Sequence, residues 1–308
     1  MMSSSPFHGL SAFPPTPADI HGRVDTQALS RLLERLCEAG AASIGLLGST
    51  GIYAYLTREE RRRAVEAAVE CVGGRVPLVV GVGALRTDHA KDFARDAEAA
   101  GANALLLAPV SYTPLTQEEV YQHFLAVAET TRLPLCIYNN PGTTHFTFTR
   151  ELLQRLSHIE TIRAVKMPLP ADGDLRGELA TLREKTNLAI GYSGDWGAAE
   201  ALLSGADAWH SVIGGLLPRT ALALTKAAMS GNGDETQRLA GLLQPLWETF
   251  KAFGSIRVVY MLVEHLSLGR AELPRPLLPL NPVDRQRVLD AARPLIDYET
   301  GLTHQSLL

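Results

Sequence analysis

The chain has 308 residues, of which 46% are hydrophobic, so it is long enough for one large α/β domain or for two ordinary domains. Its 29 Lys and Arg residues against 33 Asp and Glu residues give a net charge of -4, with both signs mixed along the sequence. This balance excludes a basic nucleic-acid surface and a polybasic membrane segment, and it favours a small molecule as the partner.

The three cysteines, Cys37, Cys71 and Cys136, lie far apart and show none of the close spacings of zinc or redox motifs. The start of the chain lacks a positively charged region followed by an apolar core, and no segment approaches the roughly 18 apolar residues needed to span a bilayer. We therefore expect a cytoplasmic protein without membrane contact.

Short β-branched or Leu-rich runs alternate along the chain with longer stretches of helical periodicity, which is typical of βα units around a parallel sheet. The runs are apolar on both faces, as strands covered by helices require. Eight such units predict the α/β fold class, a (β/α)8 TIM barrel with a C-terminal helical extension. The predicted strands are Gly9 to Pro14, Ser43 to Gly48, Pro77 to Val82, Ala104 to Pro109, Pro134 to Asn140, Ile162 to Met167, Leu188 to Ser193 and Ala208 to Ile213.

Two of the predicted helices begin with the signature of a capping box, Thr57 with Glu60 and Thr116 with Glu119. The three consecutive arginines 61–63 near the start of the first helix read as a solvated helix face. These signals predict where two helices begin and which side of one helix faces water.

The strand pattern stops beyond Pro218, where three helical stretches are predicted. A Pro-rich break at 273–282 precedes a last helix near Val283 to Ile296. We expect residues 1–217 to contain the barrel strands and most of the helices. Residues 218–308 are then the last barrel helix and the helical extension, within the same structural unit.

Lys166 closes the sixth predicted strand, and Tyr138 lies at the same relative height in the fifth. In such barrels the functional groups collect at the C-terminal ends of the strands. A lysine desolvated among apolar strands can attack a keto carbon to form a Schiff base, and a neighbouring tyrosine can carry protons to and from the carbinolamine. We therefore predict that both side chains are catalytic.

The turn Gly48, Ser49, Thr50 and Gly51 follows the second predicted strand. Its two hydroxyls and its unencumbered backbone N–H groups form a suitable cradle for a carboxylate. It lacks the lysine and the spacing of a Walker loop. The turn is thus predicted to hold an organic acid close to Lys166.

Other residues at the strand ends allow two interpretations. His210 fits a hydrogen-bonded structural histidine as well as a substrate contact. Asp195 is predicted to cap the helix that follows it. Trp196 and Trp209 fit either the lining of a pocket or the core, and the sequence does not decide between these positions.

Taken together and in this order, the motifs resemble those of the dihydrodipicolinate synthase and N-acetylneuraminate lyase superfamily over nearly the whole chain. The resemblance implies a class I aldolase that acts on pyruvate or a related 2-keto acid and on an aldehyde, without a metal or an organic cofactor, as a homotetramer built as a dimer of dimers. The motifs that carry it are Gly48 to Gly51, Thr57 to Arg61, Pro114 to Phe124, Tyr138 to Pro141, Lys166, Ser193 to Asp195, and Pro276 to Leu280.

The resemblance also implies roles for single residues. Lys166 matches the Schiff-base lysine and Tyr138 the proton-relaying tyrosine. Ser49 matches the hydroxyl of the relay, and together with Thr50 it matches the pair that receives the keto-acid carboxylate. Gly51 completes this turn and is predicted to bind substrate with it.

Three further residues are placed at the site by the same resemblance. Gly194 falls in the loop that lines the pyruvate pocket, and His210 falls where the family often has an apolar pocket residue. Thr143 falls on the loop after the fifth strand, where the aldehyde is bound. We predict all three to bind substrate.

Three departures from the family pattern bear on the second substrate. Ile52 follows the turn where an acidic residue is usual. Thr143 stands where the synthases carry an arginine for the carboxylate of the aldehyde. Ser111 or, with a shift of one residue, Tyr112 stands where a tyrosine reaches in from the neighbouring subunit. A neutral or polyhydroxylated aldehyde is therefore favoured over a dianionic one.

Four functions remain open from the sequence. The first is an aldolase that makes or breaks a carbon–carbon bond next to a pyruvate unit. The second is a dehydratase of 2-keto-3-deoxy sugar acids that uses the same lysine imine, and the third is an authentic 4-hydroxy-tetrahydrodipicolinate synthase. The fourth is a catalytically silent barrel that binds a keto acid.

Overall fold

Eight short apolar segments form the strands of a closed parallel barrel in the computed structural model, which describes residues 5–305. Neighbouring strands pair in chain order and the eighth pairs with the first, so the sheet closes on itself. The predicted barrel is therefore confirmed, with strands shorter than most of the apolar runs. The strands are β1 (Gly9–Ala12), β2 (Ser43–Leu46), β3 (Leu78–Gly81), β4 (Ala104–Leu107), β5 (Leu135–Tyr138), β6 (Ile162–Met167), β7 (Ala189–Tyr192) and β8 (Ala208–Ser211).

Helices connect the strands and cover the outside of the barrel, which explains why the strands are apolar on both faces. Between residues 5 and 305, no helix is long and apolar enough to cross a membrane. The helices are α1 (Thr26–Ala39), α2 (Arg58–Val72), α3 (Thr87–Ala100), α4 (Gln117–Ala128), α5 (Pro141–Thr144), α6 (Arg150–Ser157), α7 (Leu175–Lys185), α8 (Ala198–Leu203), α9 (Pro218–Met229), α10 (Gly233–Phe253), α11 (Ser255–His265) and α12 (Pro282–Gln305).

The helices beyond β8 pack on the barrel as the predicted C-terminal extension. α10 packs against both α9 and α12. The hydroxyl of Tyr260 in α11 donates to the carbonyl of Thr16 after β1 at 3.1 Å. The carboxylate of Glu299 in α12 accepts a hydrogen bond from Thr220 Oγ1 in α9 at 2.7 Å. These buried polar contacts fix the orientation of the extension relative to the first and last barrel units.

Side-chain caps determine where α2 and α4 begin. Thr116 and Glu119 form the predicted capping box, in which the Glu119 carboxylate accepts from the Thr116 N–H at 2.7 Å. Thr57 accepts from the N–H of Glu60 at 3.3 Å. The Glu60 carboxylate does not return this bond and accepts instead from the N–H of Val24 at 2.7 Å. Only half of the capping box predicted at Thr57 is therefore present, because the Glu60 side chain joins α2 to the segment before α1.

The prediction that residues 61–63 form a solvated helix face is wrong for Arg61, which is only 5% exposed. Its guanidinium donates to the carbonyl of Tyr53 at 2.7 and 2.9 Å and to that of Gly83 at 3.0 Å. It also lies 4.0 Å from the ring centroid of Phe93. Burial lowers the pKa of Arg61 to about 10. Arg61 is therefore a buried cation that joins the loops after β2 and β3.

The prediction that Asp195 caps the following helix is also wrong. Its buried carboxylate accepts from Trp209 Nε1 at 3.0 Å and from the N–H groups of Val212 and Ile213 at 3.2 and 2.8 Å. Asp195 thus caps the short 3-10 turn after β8 and joins the loops that follow β7 and β8. Trp209 lies in the core, whereas Trp196 is 46% exposed.

Small residues at the mouth of the barrel make room for two rings. A Cβ atom on Gly45 would lie 2.2 Å from the ring of Phe13, which follows β1. A Cβ atom on Gly191 would lie 2.5 Å from Nε2 of His210. The two rings are in edge-to-face contact, with their centroids 5.8 Å apart. The glycines are therefore required by the close packing of Phe13 and His210.

We predict that His123 makes the protein less stable in acid. This α4 histidine is 9% exposed, and burial lowers its pKa from 6.5 to about 4. Between these pH values the unfolded chain binds a proton that the folded chain does not, so stability falls as the pH decreases from 6.5 towards 4. Over the whole interval between the two pKa values, the free energy of unfolding falls by about 3 kcal/mol.

Urea unfolding at pH 7.5 and pH 5 measures this effect. We expect the wild type to lose about 2 kcal/mol more than His123→Gln over this interval. The exposed His158 supplies the control, and His158→Gln should behave as the wild type does. Equal losses in the wild type and in His123→Gln would contradict the prediction.

Candidate active site

Lys166 lies in the interior of the barrel near the C-terminal end of β6, where it is 3% exposed. Its Nζ atom lies 3.9 Å from the ring centroid of Phe13 and 4.2 Å from that of Tyr138. Within residues 5–301, Nζ makes neither a hydrogen bond nor an ion pair. The amine is thus held between two aromatic faces and is not bound to a carboxylate.

The position of Lys166 next to Tyr138 follows from the strand register. The two residues are partners across β5 and β6, and Lys166 is in turn the partner of Gly191 in β7. Paired residues of parallel strands point to the same face of a sheet. The two side chains that the sequence placed at equal height are therefore brought together inside the barrel.

A row of polar side chains leads away from Tyr138. Its hydroxyl lies 3.3 Å from Ser49 Oγ, and Asn140 Nδ2 donates to it at 3.1 Å. Asn140 Nδ2 also lies 3.0 Å from Thr143 Oγ1. Because Asn140 occupies a lone pair of the phenol oxygen as a donor, the hydrogen of Tyr138 is free to point to Ser49 or to a ligand. This arrangement suits a group that accepts and donates protons.

The turn that contains Ser49 presents backbone donors without acceptors. Among the residues that the structure describes, the N–H groups of Ser49, Thr50 and Gly51 donate to no protein acceptor. Thr50 is 3% exposed. Unpaired amides at a buried turn carry an unmet hydrogen-bonding capacity that an anion or water satisfies. The turn is therefore suited to bind a carboxylate.

His210 lies in β8 next to the same site. It is 3% exposed, and its Nδ1 atom is buried without a hydrogen-bond partner in the part of the chain that the structure describes. Burial, with a smaller contribution from the charge of Lys166, lowers the pKa of His210 well below its usual value. The imidazole is thus neutral at pH 7 and has unmet hydrogen-bonding capacity.

Gly194 and Thr143 lie in loops at the edge of the site. Gly194 has φ +89°, and a Cβ atom there would lie 3.1 Å from Leu169, so a side chain would be both strained and crowded. Thr143 is exposed, and Asn140 connects it to Tyr138. The structure therefore places Gly194 against the loop after β6, and it places Thr143 one hydrogen bond beyond Asn140.

Two residues of this site were not assigned roles from the sequence. Phe13 forms one wall around Lys166 Nζ, and Asn140 connects Tyr138 to Thr143. Asn140 lies two residues after Tyr138 in the motif from Tyr138 to Pro141, so its position in the sequence could have indicated a role at the site. Phe13 gave no comparable signal, because a phenylalanine at a strand end usually belongs to the core.

Comparison with known proteins agrees with this geometry. The model of the dihydrodipicolinate synthetase family matches residues 6–294. The chain belongs to this family. A 4-hydroxy-tetrahydrodipicolinate synthase of Pseudomonas putida is 35% identical over 280 residues, which are 90% of this chain and 94% of that protein.

Solved structures of the dihydrodipicolinate synthetase family agree with the barrel. A dihydrodipicolinate synthase of Agrobacterium tumefaciens is 61% identical with a TM-score of 0.94, over 95% of this chain and 99% of that one. A chloride-inhibited dihydrodipicolinate synthase of Acinetobacter baumannii, solved with pyruvate, is 28% identical with a TM-score of 0.87 over 94% and 99%. Members of the family are carbon–carbon lyases of the class I aldolase type, and this chain is a lyase of that family.

We predict that Gly191→Ala destabilises the protein more than a glycine substitution elsewhere at the site. The new methyl would lie 2.5 Å from His210 Nε2 and 3.0 Å from the Ala208 Cβ atom, in a closed barrel that cannot expand. Such overpacking costs about 1 to 3 kcal/mol. Urea unfolding measures the loss.

Gly142→Ala is the matched control, because a Cβ atom at Gly142 meets no atom within 4 Å. We expect the control to remain within about 0.5 kcal/mol of the wild type. The same loss in both variants would show that His210 does not restrict the space beside Gly191.

Proposed function

We propose that this family member forms a Schiff base between Lys166 and the keto carbon of pyruvate or a related 2-keto acid. The observation that carries the proposal is the buried lysine, which has no carboxylate partner among the described residues, beside a tyrosine whose hydroxyl lies 3.3 Å from Ser49 Oγ. A lysine that served only as structural support would be expected to pair with a carboxylate or to reach water.

The turn after β2 supports binding of the acid. The carboxylate of the keto acid would accept from the free N–H groups of Ser49, Thr50 and Gly51 and from the hydroxyl of Thr50. This arrangement directs the keto carbon towards Lys166 Nζ. Because the aromatic rings of Phe13 and Tyr138 flank Nζ, they would exclude bulk water around the reacting amine.

Tyr138 would carry the protons of imine formation. The neutral amine adds to the carbonyl carbon, and one proton passes from nitrogen to the former carbonyl oxygen, which gives the carbinolamine. Tyr138 then donates a proton to the leaving hydroxyl, water departs, and the nitrogen lone pair completes the imine. Ser49 lies within hydrogen-bond distance to return a proton to Tyr138.

The imine would then act as an electron sink for the carbon–carbon bond. Loss of a proton from the carbon next to the imine gives an enamine, and its attack on an aldehyde carbon forms the new bond, with a proton added to the aldehyde oxygen. Hydrolysis releases the product and restores Lys166. The same steps in reverse cleave the bond and release the aldehyde and the keto acid.

The loop after β5 supports a neutral or polyhydroxylated aldehyde as the second substrate. Thr143 supplies a hydroxyl, and its partner Asn140 supplies an amide, so neither of these two groups carries a positive charge. Arg163 of β6 is exposed and three residues before Lys166. The curated relatives are named 4-hydroxy-tetrahydrodipicolinate synthases, which keeps that activity as an alternative. The uncharged pair of Asn140 and Thr143 is the observation against it.

A dehydratase is the second candidate, and His210 favours it. Nδ1 of this buried imidazole has no hydrogen-bond partner among the described residues, and the His210 ring contacts Phe13, which also flanks Lys166. A sugar-acid substrate with a hydroxyl near the keto carbon would satisfy that nitrogen, whereas the methyl group of pyruvate would not. The same imine would then assist the loss of water in place of carbon–carbon cleavage.

We also propose a cytoplasmic homotetramer, arranged as a dimer of dimers. Exposed apolar side chains follow three consecutive strands, Tyr55 after β2, Leu85 after β3 and Tyr112 after β4. Tyr112 is 97% exposed and Leu85 is 68% exposed. A row of such side chains on adjacent loops is typical of a surface that a partner covers. A second copy of the chain fits the family resemblance.

We predict that borohydride treatment with pyruvate attaches a mass to Lys166. Reduction of the imine fixes the keto acid to the amine, and intact-mass spectrometry followed by peptide mapping locates it. Lys166→Ala should give no adduct. Lys185, which is about half exposed at the end of α7, supplies the control, and Lys185→Ala should retain the full adduct.

No adduct with pyruvate or with longer sugar-derived 2-keto acids would contradict the Schiff-base proposal. The silent barrel would then be favoured, provided that a keto acid binds Lys166→Ala as tightly as it binds the wild type. A pyruvate adduct that remains in Lys166→Ala would place the imine on another lysine.

A product assay separates the two catalytic candidates. An aldolase releases pyruvate together with an aldehyde from a 2-keto-3-deoxy sugar acid, whereas a dehydratase yields a single keto acid with one water fewer. We expect the aldehyde. Detection of the dehydrated acid alone, by mass spectrometry of the reaction mixture, would favour the dehydratase.

A further inference from the structure

The ring of Phe13 covers one side of the Lys166 amine. Phe13 follows β1 and is 2% exposed. Its ring centroid lies 3.9 Å from Lys166 Nζ, compared with 4.2 Å for the ring of Tyr138. The face of an aromatic ring carries the negative part of its quadrupole and attracts a cation at this distance. Phe13 therefore makes an electrostatic contact with the nitrogen that would react with a keto acid.

No carboxylate of the described residues forms an ion pair with the Lys166 amine. Asp195, in the loop after β7, is also buried, but its carboxylate accepts from Trp209 Nε1 at 3.0 Å and from two backbone N–H groups of the loop after β8. A buried positive charge costs free energy unless another group attracts it. The two aromatic faces at Nζ supply such an attraction.

The other titratable groups around this contact are Tyr138 and Cys136 of β5 and His210 of β8. Cys136 packs in the same hydrophobic cluster as Phe13 and Tyr138, and the ring of His210 is in edge contact with Phe13. Burial raises the pKa of the Cys136 thiol and lowers the pKa of His210. Neither the thiol nor the imidazole is therefore charged at pH 7, and neither acts as a counter-ion for Lys166.

Close packing fixes the ring of Phe13 in this position. A Cβ atom on Gly45 would lie 2.2 Å from the ring, and a Cβ atom on Gly48 would lie 2.7 Å from it. The ring of His210 packs against it with centroids 5.8 Å apart, and the Phe13 N–H donates to the carbonyl of Ser211 at 2.8 Å. A ring held in this way keeps its face towards the amine without reorganisation when a charge develops there.

We propose that the face of Phe13 stabilises the positive charge on the Lys166 nitrogen, first as the ammonium and then as the Schiff base, in place of a carboxylate. The part that concerns the Schiff base rests on the proposed function. Phe13 contacts the reacting nitrogen, but it exchanges no proton and forms no covalent bond.

The nitrogen is cationic again after the imine has formed. When the hydroxyl of the carbinolamine takes a proton from Tyr138 and leaves as water, the nitrogen lone pair forms the C=N bond and the nitrogen gains the positive charge. Loss of a proton from the neighbouring carbon then gives the neutral enamine. The ring face lowers the free energy of the cationic state between these two steps.

A carboxylate beside the amine would act differently from a ring. An ion pair in the interior strongly favours the ammonium and leaves little of the neutral amine that attacks the keto carbon. A cation–π contact is weaker and leaves the nitrogen lone pair free of a hydrogen-bonded partner. The ring therefore stabilises the cationic intermediate while the neutral amine remains accessible.

The test replaces Phe13 by monofluoro-, difluoro- and trifluorophenylalanine in the full-length assembled protein. Fluorine withdraws electrons from the ring face and weakens its attraction for a cation, while the ring keeps its shape. The same replacements at Phe7 are the matched control. Phe7 is 3% exposed and lies in the same hydrophobic cluster, but it contacts no cation among the described residues. Thermal unfolding verifies that each variant is folded.

The protonation of Lys166 is measured by its reaction with cyanate as a function of pH. Cyanate carbamylates the neutral amine, and mass spectrometry of the peptides gives the ratio of modified Lys166 to modified Lys185, which is 50% exposed and serves as the internal reference. This measurement needs no keto acid. Borohydride trapping at low pyruvate concentration then gives the pH dependence of imine formation for the free enzyme.

We expect the acid-side midpoint of both pH profiles to move to lower pH with each added fluorine, by about one pH unit for trifluorophenylalanine. The sign follows because a weaker ring face stabilises the ammonium less, so that the amine loses its proton at a lower pH. The replacements at Phe7 should keep the wild-type midpoint.

Midpoints that stay constant across the fluorinated series at Phe13 would overturn the inference. Equal shifts in the series at Phe7 would also overturn it, because they would trace the effect to general packing. If the cyanate midpoint moves as expected but the wild type traps no keto acid, the contact with the ammonium stands and the proposed Schiff-base function fails.

Phe13→Leu supplies a second variant if the space beside Gly45 does not accept fluorine. It removes the ring face and retains an apolar side chain next to Nζ. We expect the cyanate midpoint to fall by about one pH unit, as for the trifluorinated ring. An unchanged or higher midpoint in a folded Phe13→Leu protein would contradict the role of the ring.

Discussion

The contact on which the site depends is the placement of Lys166 Nζ between the rings of Phe13 and Tyr138. The register of β5 and β6 sets one side of this contact, since Tyr138 and Lys166 are paired. The other side needs Phe13 to cross the mouth of the barrel, which is sterically permitted because positions 45 and 48 are glycines. A single lysine is therefore fixed by residues from three strands, and a fluctuation of any one strand would change the position of the amine.

The contacts around the turn after β2 centre on a buried guanidinium and its hydrogen bonds, whereas the contacts around Lys166 are with aromatic rings. Arg61 is buried without a carboxylate partner among the described residues, and it contacts backbone carbonyls and the faces of two rings. Desolvating a guanidinium is expensive, and the two strained residues Leu47 and Ile52 add to this cost. The burial of Arg61 and the strain at Leu47 and Ile52 therefore lower the stability of the fold around the turn after β2, whose free N–H groups and hydroxyls must be held in position. Such local losses are common at sites that bind and react.

The barrel was predictable because its signals are local and repeated. Eight apolar runs between amphipathic segments allow few arrangements, and the equal heights of Tyr138 and Lys166 follow from that pattern. Arg61 and Asp195 were assigned wrongly because their partners are distant in sequence, with Gly83 22 residues away and Ile213 18 residues away. Phe13 was missed for the same reason, since its role depends on the absence of a side chain at Gly45. Sequence periodicity shows which residues share a face, but it does not show which backbone carbonyl will be free to accept a hydrogen bond.

The residues that depart from the family pattern divide the site into two halves. Lys166, Tyr138, Ser49 and the free amides of the turn belong to the half that would bind and activate a keto acid. Ile52, Thr143 and His210 belong to its surroundings, where the chain has an apolar strained residue, an uncharged hydroxyl and an unpaired imidazole. Changes confined to the surroundings would alter which second substrate fits, while the proposed imine chemistry would need only the first half.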